Sequence, residues 1–355
     1  MEPRQLVGHK AAATYCIPSR NTPGVVVTSG EDGRICLFDI RCRDAQTVLK
    51  IGDLAINCLC FKPGDENVVY ASSGSAVESY EMRMVPIFTP LKVFKYNKDE
   101  VNQIACNSKG SFLASADDSG DVKIIDIHNE CMYKTLRGGH SSICSSVQFV
   151  PWRPWDVITG GLDSKMKIWN FSSGRPIKVV DFGLESPSSS NSSQCLNPAF
   201  VHSIAVPETQ VSERTKRICA VARGDGVVDV IDIEELPLIK SGSSNSLRKN
   251  GDLNQNKRGR LKLDYECGGH SAAVSCVAFS LFGENGKFII SGGNDKTVKV
   301  WDYAKHFDAD EDTNDKLHLN IKLTKKVNWL CTMPNDSENL VVCDTSKVVK
   351  LYSLS

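Results

Sequence analysis

The chain has 355 residues, 41% hydrophobic and 24% charged, with 42 basic and 42 acidic side chains and a formal net charge of zero. These figures describe a folded chain of one large or two ordinary domains, exclude the basic excess of a general polyanion binder, and leave no apolar run near the ~18–20 residues that span a bilayer. Fourteen cysteines without a C-x-x-C pair, behind an N-terminus with no apolar signal core, predict reduced thiols of a cytosolic or nuclear protein and no zinc site. Cys58, Cys60, Cys106, Cys144 and Cys276 fall in apolar strand patterns and read as small buried hydrophobes.

Short alternating segments follow one another along the chain. A spare strand, roughly Arg4 to Val7, precedes the first Gly-His. The first unit supplies His9, Thr28, Asp32, Phe38 and Asp39. The second, Ile56 to Tyr80, has Gly74 where a turn Asp belongs. In the third, Val101 to Ile127, Ser119 takes that place, one residue after Asp118. The fourth supplies His140, Thr159, Asp163 and Trp169, followed by Asn170. The fifth keeps Asp225 but has Val221 and Ile231 in place of Ser/Thr and Trp. The sixth supplies His270, Ser291, Asp295, Trp301 and Asp302. The seventh, from Val327, stops just past its third strand.

Phe38, Tyr80, Ile125, Trp169, Ile231, Trp301 and Tyr352 close the third strands, at intervals of 42, 45, 44, 62, 70 and 51 residues. Seven closures predict seven units, with loops inserted in the last three intervals. A Gly-His start and a Trp-Asp end at this period resemble the WD40 repeat family. The resemblance implies an all-β, seven-bladed WD40 β-propeller forming a single domain over residues 1–355. The N-terminal strand should complete the C-terminal blade, which removes open edges that template aggregation. The resemblance also makes the His, Ser/Thr, Asp and aromatic sets structural. His9-Thr28-Asp32-Phe38, His140-Thr159-Asp163-Trp169 and His270-Ser291-Asp295-Trp301 should be tetrads in which a buried carboxylate finds its partners. No nucleophile–base pair, phosphate loop, metal cluster or cofactor motif remains, which predicts a protein that is not an enzyme.

In such a propeller the d–a and b–c connections share one face, the top, and the a–b and c–d connections share the bottom. The Ser-rich insertion at about 183–198 should lie on top; its Ser186-Pro187 is a candidate phosphorylation site. The basic insertion at about 234–262 should lie on the bottom. It carries Arg248, Lys249, Lys257, Arg258, Arg260 and Lys262, either a solvated loop or a nuclear-localisation element. The acidic insertion at about 304–316, also on the bottom, lacks the Gly and terminal Glu of a calcium loop. Trp152 and Trp155, in a bottom a–b loop, either anchor an interface or fold under the loop.

Two adjacent units end alike: Phe38-Asp39-Ile40-Arg41 and Tyr80-Glu81-Met82-Arg83. The window "VVTSGEDGRICLFDIR" resembles the DWD box of cullin-4 ubiquitin-ligase substrate receptors, with Phe38 for the usual Trp. That resemblance implies that Asp39, Arg41, Glu81 and Arg83 meet the ligase adaptor, an Arg offering a planar donor fork to carbonyls or carboxylates. The stretches "LASADDSGDVKIIDI", "LNPAFVHSIAV", "SGGNDKTVKVWD" and "KVNWL" together look like the family of WD repeat-containing protein 53, and the details suggest a plant member.

The implied function is a protein-interaction platform. The ligase adaptor sits on its bottom face and an unknown target on its top face. No direct nucleic acid or membrane contact is expected, and the chain should be a monomer by itself, present in nucleus and cytoplasm. The alternative is a shuttling scaffold or signalling regulator that binds exportin and nuclear partners. Val230, Ile233, Leu236 and Leu238 have export-signal spacing, although Val230 and Ile233 fall in the third strand of blade five.

Overall fold

The computed structural model describes residues 2–83, 89–184, 195–207, 217–239, 259–283, 286–303, 316–334 and 337–354. They form seven four-stranded sheets, and no helix among them is long and apolar enough to cross a membrane. Each sheet is an antiparallel blade whose strands a to d run outward from the axis. The innermost strands are Ala13–Pro18, Ile56–Lys62, Val101–Cys106, Cys144–Phe149, Val201–Ala205, Val274–Phe279 and Val327–Thr332. Each packs against the next, and the last packs against the first, so the ring is closed.

Burial follows from this packing. A second strand lies between two neighbouring blades and is covered on both faces, so it reads as an apolar run instead of an alternation. Asp156–Gly161 is buried at all six positions. The outermost strands see water; Cys131–Leu136 is exposed at its first three positions. The core is accordingly divided into clusters between facing blades. One joins Leu6, Phe38 and Ile40 to Met333 and Leu351 across blades seven and one. Another joins Leu136 and Phe149 to Phe171 across blades three and four.

Each first strand contains a β-bulge, and in six of the seven the bulged residue bonds to the next blade. In blade one the register shifts between Ala13 and Tyr15, and Thr14 donates to the Ile56 carbonyl at 2.5 Å. Asn57 donates to Val101 O at 3.1 Å and Asn102 to Cys144 O at 3.2 Å. Ser145 donates to Val201 O, and Ser275 to Val327 O at 2.7 Å. Asn328 closes the circle on Ala13 O at 2.9 Å. A bulge re-aims a side chain out of the ladder; here it satisfies carbonyls that face the neighbouring sheet. In blade five the bulged residue is His202, which makes no such bond among the described residues.

Closure is antiparallel pairing of Arg4–Val7 with Val348–Tyr352, in the register Arg4 to Leu351 and Val7 to Val348. The N-terminal strand is thus the fourth strand of blade seven. The fourth strand of blade five is Arg260–Leu263, so the bottom insertion there ends earlier than its composition suggests. Fully buried Leu6 is the apolar anchor of the closing strand. Leu6→Ala should lower stability by about 2–4 kcal/mol, the cost of a cavity at a fully buried leucine, measured as the denaturation midpoint multiplied by the urea m-value.

Candidate functional site

Two constellations merit construction from their residues: the polar sets within the blades and the charged ends of the third strands. In blade four the Trp169 indole N–H donates to Thr159 Oγ1 at 3.0 Å. Indole only donates, so the Thr159 hydroxyl turns its own hydrogen to His140 Nε2, 2.8 Å away. That assigns the ring hydrogen to Nδ1, which faces Asp163 Oδ1 at 2.8 Å. Backbone N–H groups of Ser141 and Lys165 also donate to Asp163, at 3.1 and 3.2 Å. Blade six repeats the chain through Trp301, Ser291, His270 and Asp295 at 2.9, 2.8 and 3.0 Å. Blade one has His9 against Thr28 at 2.8 Å and Asp32 at 3.1 Å; Phe38 brings no donor. Every member spends its hydrogen-bonding capacity inside its own blade, which makes these sets struts and not reaction centres.

The tetrads need a residue that the sequence reading did not single out. Gly30, Gly161 and Gly293 follow the Ser/Thr by two positions. A Cβ on each would lie 2.7, 2.5 and 2.5 Å from the Nδ1 of the local His. The signal was present, since all three complete units have Gly there. Blades three, five and seven put a charged residue at that position and build other networks. In blade three, where Ser119 stands in the turn, the carboxylate is Asp117 on the second strand. Asn97, shorter than His, accepts from Ser115 at 2.7 Å and donates to Asp117 at 2.9 Å. In blade seven Asp344 accepts from Lys350 at 2.5 Å. In blade five Arg223 bonds to Asp225 and to fully buried Asp229 at 2.7 Å. Arg260 grips the same Asp229 at 2.7 Å, and both guanidiniums lie 5.0 Å over the Phe182 ring. Burial pushes the Asp229 carboxyl up, but the two arginines outweigh it and hold it well below the usual carboxylate range.

Arg260 was expected in the basic insertion, as part of a solvated loop or a nuclear-localisation element. It belongs instead to strand d, where it neutralises a buried acid, and Lys262 is an exposed residue of the same strand. Arg248, Lys249, Lys257 and Arg258 lie outside the described residues, as do Ser186 and Pro187. Val230 and Ile233 are fully buried, so the export-type spacing is not presented as a surface. Trp152 packs partly under its loop, whereas Trp155 is 44% exposed. Among the described residues no group of three His, Cys, Asp or Glu is placed to hold a metal.

At the bottom of blade one Asp39 is nearly buried, while the Arg41 side chain is 85% exposed. Arg41 Nε donates to Asp39 Oδ1 at 2.9 Å and Nη2 to Oδ2 at 2.5 Å. The Arg41 backbone N–H adds a bond of 3.0 Å to the same carboxylate. These bonds hold the Asp39 carboxyl below its usual range and fix the guanidinium with its remaining edge toward solvent. Glu81 and Arg83 occupy the equivalent places in blade two, where the Arg83 backbone N–H lies 3.3 Å from Glu81 Oε1. Arg83 borders a cleft of about 270 Å³ between the two blades, floored by Val25, Leu37, Phe61 and Met82. Among the described residues Arg83 enters no ion pair.

The carboxylates of the tetrads set two tests. Asp295→Ala or Asp163→Ala leaves a buried imidazole without its acceptor, and should cost roughly 2–4 kcal/mol; an unchanged melting temperature for both variants would refute the strut assignment. Acid should also loosen the fold. Burial lowers the His9 and His270 values below the ordinary 6.5, so their share of stability rests on neutral rings and is eroded as pH falls through that value. Burial works to raise the Asp295 carboxyl, but bonds from His270, Thr297 and the Ser271 N–H hold it at about 2. Its share is present above 3.8 and is lost as pH falls from there to about 2. The histidine shifts alone act between neutral and mildly acid pH, so the urea midpoint should be lower at about pH 5.5 than at about pH 7.5, and the Asp295 share adds a further loss only below 3.8.

Comparison with known proteins gives the same architecture. The family model "WD domain, G-beta repeat" matches residues 88–126, 130–170 and 261–302. The chain is 24% identical over 379 aligned residues to "WD repeat-containing protein 53 homolog" of Dictyostelium discoideum, an alignment that covers 99% of this chain and 94% of that protein. It is 28% identical over 149 residues to "WD repeat and HMG-box DNA-binding protein 1" of Xenopus laevis, covering 41% of this chain and 12% of that one. Among solved structures, the WD40 beta propeller domain of Doa1 superposes with a TM-score of 0.70 at 14% identity, covering 100% of this chain and 97% of that chain. Three segments of the chain thus match the WD40 repeat model, the chain folds as a seven-bladed β-propeller like that of Doa1, and along 99% of its length it is similar to WD repeat-containing protein 53 homolog.

Proposed function

We propose that this propeller is a substrate receptor that docks on the adaptor of a cullin-4 ubiquitin ligase by its bottom face and presents a target on its top face. At the coarsest level the molecule is a propeller that serves as a protein-interaction scaffold. The finer reading rests on one observation: adjacent blades end in the same acid-x-Arg step, and Arg41 is held outward by a bidentate contact with Asp39. A guanidinium so fixed loses little freedom when it meets a partner carbonyl or carboxylate. Arg83, at the lip of a cleft with an apolar floor, would add a second cation beside a place for an apolar side chain. Presence in nucleus and cytoplasm belongs to this reading.

The test is co-purification with the ligase adaptor from cells expressing the full chain. Arg41→Ala combined with Arg83→Ala should reduce adaptor recovery about 10-fold or more, while circular dichroism and melting temperature stay those of the parent because both side chains are exposed. Recovery equal to the parent's would favour a scaffold without a ligase role.

A further inference from the structure

The outer bottom rim between blades three and four exposes Met132, Tyr133 and Trp155. Strand d of blade three, Cys131–Leu136, is the edge of its sheet and begins with three exposed residues, Cys131, Met132 and Tyr133. Met132 is 44% exposed and Tyr133 is 38% exposed. The ladder shifts register here, with Ile124 opposite Lys134 and Ile125 opposite Met132, so Tyr133 is a bulged residue turned out of the alternation. Its ring packs on Phe112 at 5.1 Å. Trp155 of blade four meets Phe112 at 6.0 Å and buried Phe171 at 5.3 Å. The result is a braced aromatic shelf whose outer members, Tyr133 and Trp155, face water.

Cations border this shelf. The Lys134 stem runs alongside Gly174, within 3.4 Å of where a Cβ would stand, and the next residue is exposed Arg175. Neither Lys134 nor Arg175 enters an ion pair among the described residues, whereas nearby Glu130 is already taken by Lys92 at 2.6 Å and Arg153 by Asp156 and Glu234. Exposed Trp and Tyr held by neighbouring rings are the side chains that anchor interfaces, since they bury area at little entropic cost. An open sheet edge beside them offers backbone groups to an extended chain. Asp126, opposite Phe112 and Cys131 and bonded to Asn129, is an acid at the start of this edge, and Lys134 with Arg175 leave the balance positive.

We propose that this rim binds an extended partner segment in which apolar side chains alternate with Asp or Glu. The apolar groups would lie on Tyr133 and Trp155, and the carboxylates would meet Lys134 and Arg175. The surface lies on blades three and four, apart from Arg41 and Arg83 on blades one and two, so the two readings fail separately.

The test titrates the full chain into dye-labelled peptides of about eight residues, alternating Asp or Glu with Leu, Phe or Trp. Anisotropy should saturate for acidic peptides and not for counterparts with Lys in place of the acids. Trp155→Ala, and separately Lys134→Glu with Arg175→Glu, should weaken binding about 10-fold or more; the charge variant should keep the parent melting temperature, and Trp155→Ala, which loses packing on Phe112 and Phe171, is titrated well below its own melting temperature. Arg41→Ala with Arg83→Ala should leave it unchanged. Absence of saturation with every acidic peptide, equal binding of the basic ones, or full binding by the Trp155→Ala protein would overturn the proposal. Concentration-dependent self-association abolished by Trp155→Ala would identify a second copy as the occupant and overturn it as well.

Discussion

Seven separate sheets hold together here because the ring is closed by its own two ends. Arg4–Val7 is hydrogen-bonded to Val348–Tyr352, and Leu6 sits in the cluster shared by blades seven and one. Without that strand, the largely buried third strand of blade seven would become the sheet edge, and an apolar seam would be open to water. Closure also gives the bulge ring its meaning. Thr14, Asn57, Asn102, Ser145, Ser275 and Asn328 each donate to the following blade. A ring of such bonds is complete only when the last blade has the first for a neighbour. The seam from blade five to blade six does without one, because His202 stands at the bulge, and it is held there by apolar packing between Ala220, Val228 and Val274.

Within the blades one problem is solved in two ways. The turn between second and third strands needs a carboxylate or equivalent to gather the backbone N–H groups around it. Where Gly leaves room, the carboxylate is on the turn and a His bridges it to the hydroxyl. Where Asp117 or Asp344 replaces the Gly, the carboxylate moves onto the second strand and its partner is Asn97 or Lys350; where Arg223 replaces it, Asp225 stays on the turn and the guanidinium bridges it to Asp229, which Arg260 also holds. The price of keeping charge inside is met locally in each case, which is why a blade can lose its His and remain a blade. Such buried sets favour one unique arrangement over alternatives, and they leave the outer faces of the propeller free to vary.

Surface chemistry is concentrated where the repeat ends. Arg41 and Arg83 follow third strands of blades one and two, and Trp155, Tyr133 and Arg175 gather on connections and an edge strand of blades three and four. Loops and edges carry such groups because the backbone there is not committed to packing. The scaffold contributes rigidity: Asp39, nearly buried, holds Arg41, and Phe171, fully buried, supports Trp155.

The residues of the repeat determined the blade number, the closing strand and the members of the three His sets, since a strand periodicity and a fixed spacing survive in the chain itself. Arg41 was also legible, as a short motif read against the strand end. Other features depended on which blades face one another. Arg260 read as one more cation of a basic loop, and only the position of Asp229 on the adjacent strand made it a core ion pair. In blade three neither Asp117 nor Asp118 stands four residues after Ser115, where the spacing puts the turn Asp, and the contact of Asn97 with Asp117 is seen only in the folded blade. Whether Trp155 was covered or open depended on Phe112 and Tyr133, which lie on the neighbouring blade. Local spacing records contacts within a hairpin, whereas contacts between blades are set by how two sheets pack, and that information is spread over residues far apart in the chain.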